Sequence, residues 1–185
     1  MTPSRARILF LVVALAAYAV DQVSKVVAVA ELEGRADVSV VGDLLQLNLV
    51  RNPGAAFSLG SGLTPLLSAV ALVAAVTVVW FARRVGSAAW AVALGLLLAG
   101  VTGNLTDRIA RPPGVFRGHV VDFLELPNWP VFNVADMCIN VAAGLIIMQA
   151  FRGIRLDGTR ERDDDSSAEP AGSAPSTDVA EAESE

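Results

Sequence analysis

The chain has 185 residues, 54% of them hydrophobic, with a mean hydropathy of +0.54 and a formal net charge of −5. Its long uncharged apolar runs exclude an ordinary soluble domain, and the lack of any basic stripe with interleaved aromatics excludes a nucleic-acid partner. The charge is uneven: residues 157–185 hold ten acids and two arginines, residues 1–156 hold nine acids and twelve bases, so a mildly basic apolar core carries an acidic tail.

Four segments are long enough to cross a ~30 Å hydrocarbon core, which takes about 20 residues. The first runs from about Ile8 to Ala30, interrupted late by Asp21, Gln22, Ser24 and Lys25. Arg5, Arg7 and the run up to Ala28-Val29-Ala30 have the look of a cleavable secretory signal. The charged residues before that site and the three later spans favour an uncleaved helix. Between the first two spans, Leu45-Gln46-Leu47-Asn48-Leu49 alternates with the period of a half-buried strand. Val38-Ser39-Val40-Val41 is its partner, with Gly42-Asp43 as the turn between them. That small sheet is expected on the membrane surface, its apolar face toward lipid or an extended peptide. Gly54, Gly60 and Gly62 mark an irregular return.

The second span runs from Leu66 to Ala82, with Thr64 as N-cap and Pro65 in the first helical position. The third is uncharged from Val85 to Thr106 and ends at Asp107-Arg108. The fourth runs from Val134 to Phe151, with Asp136 in its first turn. Residues 1–156 thus read as one four-span membrane domain. Residues 157–185 keep too few large apolar residues to fold and read as a disordered cytoplasmic tail.

Basic residues near span ends set orientation. Arg5, Arg7, Arg83, Arg84, Arg152, Arg155, Arg160 and Arg162 fall on one side. Lys25, Arg35, Arg51, Arg108, Arg111 and Arg117 fall on the other. Eight against six puts both termini in the cytoplasm and loops 31–63 and 109–133 outside, where the acids gather.

The polar clusters near that outer face carry the chemistry. An ionised carboxylate near the bilayer centre costs roughly 2.5–3.5 kcal/mol on insertion scales, so such groups need partners or a use. Asp21 and Lys25, four apart on one helix face, form an ion pair that eases burial or braces a nearby site. Arg51-Asn52-Pro53-Gly54-Ala55-Ala56-Phe57-Ser58 is either a turn or a place where an amide and tiny residues hold a peptide. Asn104, Asp107 and Arg108 are helix-end polarity, or a shell orienting other carboxylates. Asn133 and Asp136 fit an N-cap and N3 capping box, with the helix dipole favouring a negative charge at Asp136. Asp122, in the loop Val120-Val121-Asp122-Phe123, is not explained that way. Two acids brought together can share one proton and activate water.

The lone Cys138 allows no intrachain disulfide and reads as buried filler. The single His119 cannot make a metal site, so neither metal nor cofactor is expected. A channel or carrier moving protons or cations through intramembrane acids is the non-enzymatic alternative. A serine–lysine protease using Ser24 or Ser58 with Lys25 is the other, although no Gly-x-Ser-x-Gly elbow occurs.

Asp21-Gln22-x-x-Lys25, Arg51-Asn52-x-Gly54-Ala55-Ala56-Phe57, Gly103-Asn104-x-x-Asp107-Arg108, Val120-Val121-Asp122-Phe123 and Phe132-Asn133-x-Ala135-Asp136 appear in one order, each at a span end. Together they resemble the lipoprotein signal peptidase family, also called signal peptidase II, over about residues 8–152. The resemblance implies four transmembrane helices with a small extracytoplasmic sheet and a periplasmic-side catalytic loop in a bacterial inner membrane. It implies an aspartic endopeptidase whose dyad is Asp122 and Asp136. The implied substrate is a prolipoprotein carrying diacylglycerol on its cysteine, cut just before that cysteine. The other implied partners are membrane lipids and globomycin-type inhibitors, the latter occupying the dyad. Asp21, Lys25, Asn52, Gly54, Asn104, Asp107, Arg108, Asn133 and Ala135 are expected to bind substrate or orient the dyad. The 13 residues between Asp122 and Asp136 make a compact version of the catalytic loop.

Overall fold

A computed structural model of the chain describes residues 1–54 and 61–160. Ala55, Ala56, Phe57 and Ser58 of the Arg51 motif, and residues 161–185 of the expected tail, lie outside the described residues. The order of elements is α1 (Pro3–Leu32), β1 (Val38–Val41), β2 (Leu45–Asn52), a short 3-10 turn (Ser61–Leu63), α2 (Thr64–Ala82), α3 (Ala88–Ala110), β3 (Val120–Glu125) and α4 (Val134–Phe151). All four helices are long and apolar enough to cross a bilayer. In lipid, a helix satisfies its own backbone hydrogen bonds, which is why apolar runs of this length take that form.

Helix α4 occupies its expected span, Val134–Phe151, whereas α1 and the far end of α3 overrun theirs. Helix α1 continues through Asp21 and Lys25 to Leu32, and α3 continues through Asp107 and Arg108 to Ala110. The charges do not end these helices because both pairs are buried against neighbours and carry partners there. Helix α3 begins at Ala88 rather than Val85: Ser87 before it is extended, and the Gly86 N–H is bonded to Leu156 O at 2.9 Å. Helix α2 begins at Thr64 with Leu63 in the cap position. The Thr64 hydroxyl, expected as the cap, instead donates to Pro53 O at 2.5 Å.

Helix α3 is the central helix: 44% of its apolar stretch is buried, against 22% for each of the other three, and it packs on α1, α2 and α4. Close approach is bought with missing side chains. A Cβ at Gly100 would stand 2.4 Å from Ala135 O of α4, and one at Gly103 would stand 2.4 Å from Asp21 Oδ2 of α1. One apolar core, with Phe10, Val78, Val85 and Leu94, fills the end of the bundle where α1 and α3 begin and α2 ends.

The expected hairpin of Val38–Val41 and Leu45–Leu49 is present, but the sheet has three antiparallel strands in the order β1-β2-β3. The third contains Asp122, expected in a loop. Val-Val-Asp-Phe-Leu has the β-branched and aromatic content of a strand, and its burial on both sides hides any alternation. The sheet's apolar side does not face lipid alone: Leu47 and Leu49 pack with Ala28, Leu32, Val121 and Phe123 over the end of α1. The pairings Val50↔Asp122 and Asn52↔Val120 set the end of β2 beside the carboxylate. Residues 157–160, placed in the tail by composition, form a turn, with Arg155 N–H bonded to Thr159 O at 2.9 Å and an Ile154↔Arg160 bridge.

Candidate active site

Asp122 and Asp136 reach one place by a backbone device. After β3 the chain makes a short excursion and returns, so that Phe132 exchanges hydrogen bonds with Leu124 (Leu124 N to Phe132 O 2.9 Å, Phe132 N to Leu124 O 2.9 Å). That closure lays Asn133 beside Asp122 as α4 starts. The expected capping box is formed: the Asp136 N–H donates to Asn133 Oδ1 at 3.1 Å, and the Asn133 N–H donates to Asp136 Oδ2 at 3.1 Å. Capping and site-building are therefore one arrangement, and the two readings of this motif do not compete.

Both carboxylates line a cavity of about 500 Å³, with Asn52, Gly54, Asn104 and Arg108 also in its wall. Every carboxylate oxygen has a donor. Asn52 Nδ2 donates to Asp122 Oδ2 at 3.0 Å and Asn133 Nδ2 to Asp122 Oδ1 at 2.6 Å. Asn104 Nδ2 donates to Asp136 Oδ1 at 2.9 Å, while Asn104 Oδ1 accepts from Asn133 Nδ2 at 3.1 Å. Three amides thus tie the two acids into one network. Burial pushes the Asp122 carboxyl up to about 6; the Asn52 bond pulls it down, and the charge of Asp136 pushes it up again. Asp122 is therefore the member of the pair that holds a proton more readily than a surface aspartate.

Behind this wall lies a second layer. Lys25, whose side chain is fully buried, contacts Asp21 Oδ2 at 3.1 Å and Asp107 Oδ2 at 2.9 Å, and donates to Asn104 Oδ1 at 2.9 Å. Asp21 Oδ1 accepts the Ala135 N–H at 2.8 Å, one residue before Asp136. Asp107 holds the Val121 N–H at 3.2 Å, one residue before Asp122, and pairs with Arg111. Each acid of this layer therefore fixes the backbone next to one acid of the cavity. Arg108 Nη2 donates to Gly54 O at 2.8 Å, and its Nε is buried without an acceptor among the described residues.

Of the residues singled out from sequence, Asn52, Gly54, Asn104, Arg108, Asp122 and Asp136 line the cavity, while Asp21, Lys25, Asp107, Asn133 and Ala135 sit behind it. Sequence reasoning missed Gln22 as a working part: its Nε2 donates to Asp21 Oδ2 at 2.9 Å and to Gly103 O at 3.2 Å. It also missed Trp129, Phe132, Met137, Asn140 and Val141 as cavity walls. Met137, Asn140 and Val141 follow Asp136 around α4 at one, four and five residues, a face that helical spacing could have indicated. The serine–lysine alternative loses its geometry. Lys25 is shared among three oxygens, and the Ser24 hydroxyl donates to Asp21 O at 2.8 Å; Ser58 lies outside the described residues.

Fold and site together define a multi-pass membrane protein with a pair of carboxylates held by amides at one end of its helices. The family model for signal peptidase (SPase) II matches residues 13–152. A lipoprotein signal peptidase of Leifsonia xyli subsp. xyli is 46% identical over 96% of this chain and 87% of its own. One from Rhodococcus jostii is 47% identical over 84% of this chain and 78% of its own. A bacterial membrane enzyme solved by the in meso method at 2.3 Å superposes with a TM-score of 0.69 over 90% of this chain and 94% of that one, at 24% identity. The chain belongs to the signal peptidase II family and is a multi-pass bacterial membrane peptidase.

Proposed function

We propose that the protein is an aspartic endopeptidase that removes signal peptides from diacylglyceryl-modified prolipoproteins, cutting just before the lipidated cysteine. The observation that carries this reading is the shared cavity: Asp122 and Asp136 open into one space and are joined through Asn133 and Asn104. Asp122, the acid that burial pushes up, holds the proton and polarises the scissile carbonyl. Asp136, at the N-terminus of α4, takes a proton from water as its oxygen adds to the carbonyl carbon. The C–N bond then breaks, the amine of the cysteine leaves with one proton, and the pair is left sharing the other. Acid–base catalysis of this kind contributes typically 10²–10⁴-fold. Alignment of the peptide and exclusion of water supply the rest.

Asn52, Asn104 and Asn133 orient the two carboxylates, and Arg108 with Gly54 receives the substrate backbone. Asp21, Lys25, Asp107 and Ala135 brace the frame. The site faces outside the cell with both termini in the cytoplasm, the four-span domain covers residues 1–156 and the acidic tail extends beyond it. Acyl chains on the substrate cysteine deliver the peptide to the bilayer edge beside the cavity. The channel alternative asks for polar residues along a path through the bilayer, and the acids crowd one end instead.

Purified protein is incubated with a diacylglyceryl precursor and with the same precursor unlipidated, and products are weighed by mass spectrometry. The reading expects cleavage before the cysteine of the lipidated form alone, and inhibition by a globomycin-type cyclic peptide. Proton or cation flux in liposomes without cleavage sinks it.

A further inference from the structure

At the end of the bundle opposite the carboxylates, a second cavity of about 450 Å³ opens between α2, α3 and α4. Thr77 and Phe81 of α2, Trp90 and Leu94 of α3, Ile146 of α4 and the following Leu156 form its walls. It is a fixed groove. Leu156 packs on the core of that end, and its carbonyl accepts the Gly86 N–H at 2.9 Å. The Trp90 indole N–H donates to Ile154 O at 2.9 Å, which occupies the ring's one polar atom and leaves the groove apolar.

The chemistry changes sharply at its edge. Two and three residues beyond Phe81 come Arg83 and Arg84, with the Arg84 guanidinium 4.8 Å from the centre of the Trp80 ring. Arg152 is the C-cap residue of α4. The one acid of the adjoining segment within the described residues, Asp157, already accepts the Thr159 N–H at 2.9 Å and its hydroxyl at 2.8 Å. Exposed cations thus follow the wall residue Phe81 within three positions, and an apolar slot with cations close by is complementary to an anionic amphiphile.

We propose that this groove binds an anionic phospholipid of the surrounding bilayer, one acyl chain lying between α2, α3 and α4 and the headgroup held by Arg83 and Arg84. A precursor's signal peptide fits it poorly, because such peptides begin with a positively charged segment that these arginines repel. The site is separate from the carboxylate cavity, and the proposal holds whether or not the assignment of the cavity does.

The full chain is reconstituted in mixed phosphatidylcholine and phosphatidylglycerol, and retained lipids are counted by native mass spectrometry. Wild type should keep phosphatidylglycerol in preference to phosphatidylcholine by about fivefold for each arginine engaged. Arg83→Gln with Arg84→Gln should remove the preference and keep lipid binding; Ala74→Phe, which fills the groove, should lose the bound lipid. A photoreactive phosphatidylglycerol on wild type should label residues 77–97 and 146–156, which needs no variant to fold. Equal retention of the two lipids overturns the proposal, whether those arginines stand open or are covered by the acidic residues beyond 160. Labelling confined to other helices, retention unchanged in a folded Ala74→Phe protein, or displacement of the lipid by an unlipidated signal peptide overturns it as well.

Discussion

Replacing Lys25 with methionine removes one ammonium and little else, since the two side chains have similar length and volume. The consequences are large because of what the ammonium touches. Its Nζ lies 3.1 Å from Asp21 and 2.9 Å from Asp107, with side-chain exposures of 0% for Lys25 and 1% for each acid. Asp107 keeps Arg111, but Asp21 is left with neutral donors only, Gln22 and the Ala135 N–H. Removing one partner of a buried ion pair costs about 3–5 kcal/mol, which in a chain of this size lowers Tm on the order of 10 °C. Asn104 also loses one of the two donors on its Oδ1, keeping Asn133 alone, so the amide that holds Asp136 is less firmly fixed. Cleavage should therefore fall even at temperatures where the variant is folded. Asp21→Asn placed on Lys25→Met removes the stranded charge and keeps an acceptor for Ala135, so part of the lost Tm should return. Thermal unfolding in detergent micelles reads both. If Lys25→Met melts with wild type, or if Asp21→Asn deepens the loss, the argument from buried charge is wrong.

Gly103→Ala forces a Cβ to 2.4 Å from Asp21 Oδ2; overpacking of this kind costs about 1–3 kcal/mol, and thermal unfolding should show the loss along with slower cleavage. Asn133→Ala strips Asp122 of its 2.6 Å donor and α4 of its cap, and kcat should fall by about 100-fold as the carboxylates lose their geometry. Asp122 stands at about 6 against 3.8 for an unperturbed aspartate, so the folded chain binds that proton more tightly than the unfolded chain. Its contribution to stability is full below about pH 4 and is lost as pH rises through about 6. Between those values Tm should decline more in wild type than in Asp122→Asn. If Asp122 acts in its protonated form as proposed, kcat/KM should fall on the alkaline side with the same midpoint; a profile flat from pH 5 to 8 contradicts that role.

The four helices were legible because lipid permits few alternatives to a self-satisfied helix over an apolar run. The bounds of α4 and the end of α2 were legible too; the end of α3 was not, because hydropathy treats Asp107 and Arg108 as a break. Partners on another helix turn those same residues into core. The pair Asn133 and Asp136 was readable as a cap from spacing alone, since capping is local. That the same amide also reaches Asp122 depends on Phe132 returning to β3, a long-range closure with no local signal. The third strand was hidden for a related reason: β3 is buried on both faces, so Val120 to Leu124 shows no alternation to read. The role of Gln22 could not be seen without knowing that α3 presents Gly103 beside it.

The proposed function requires Asp122 and Asp136 to act as one acid–base pair on a lipidated precursor. Asp122→Asn and Asp136→Asn, each purified and checked by thermal unfolding, are given a diacylglyceryl precursor, and product is followed by mass spectrometry over time. Each variant should stay folded and lose cleavage by at least the 10²–10⁴-fold typical of positioned acid–base catalysis. A folded variant of either kind that processes the precursor at the wild-type rate contradicts the assignment of the pair.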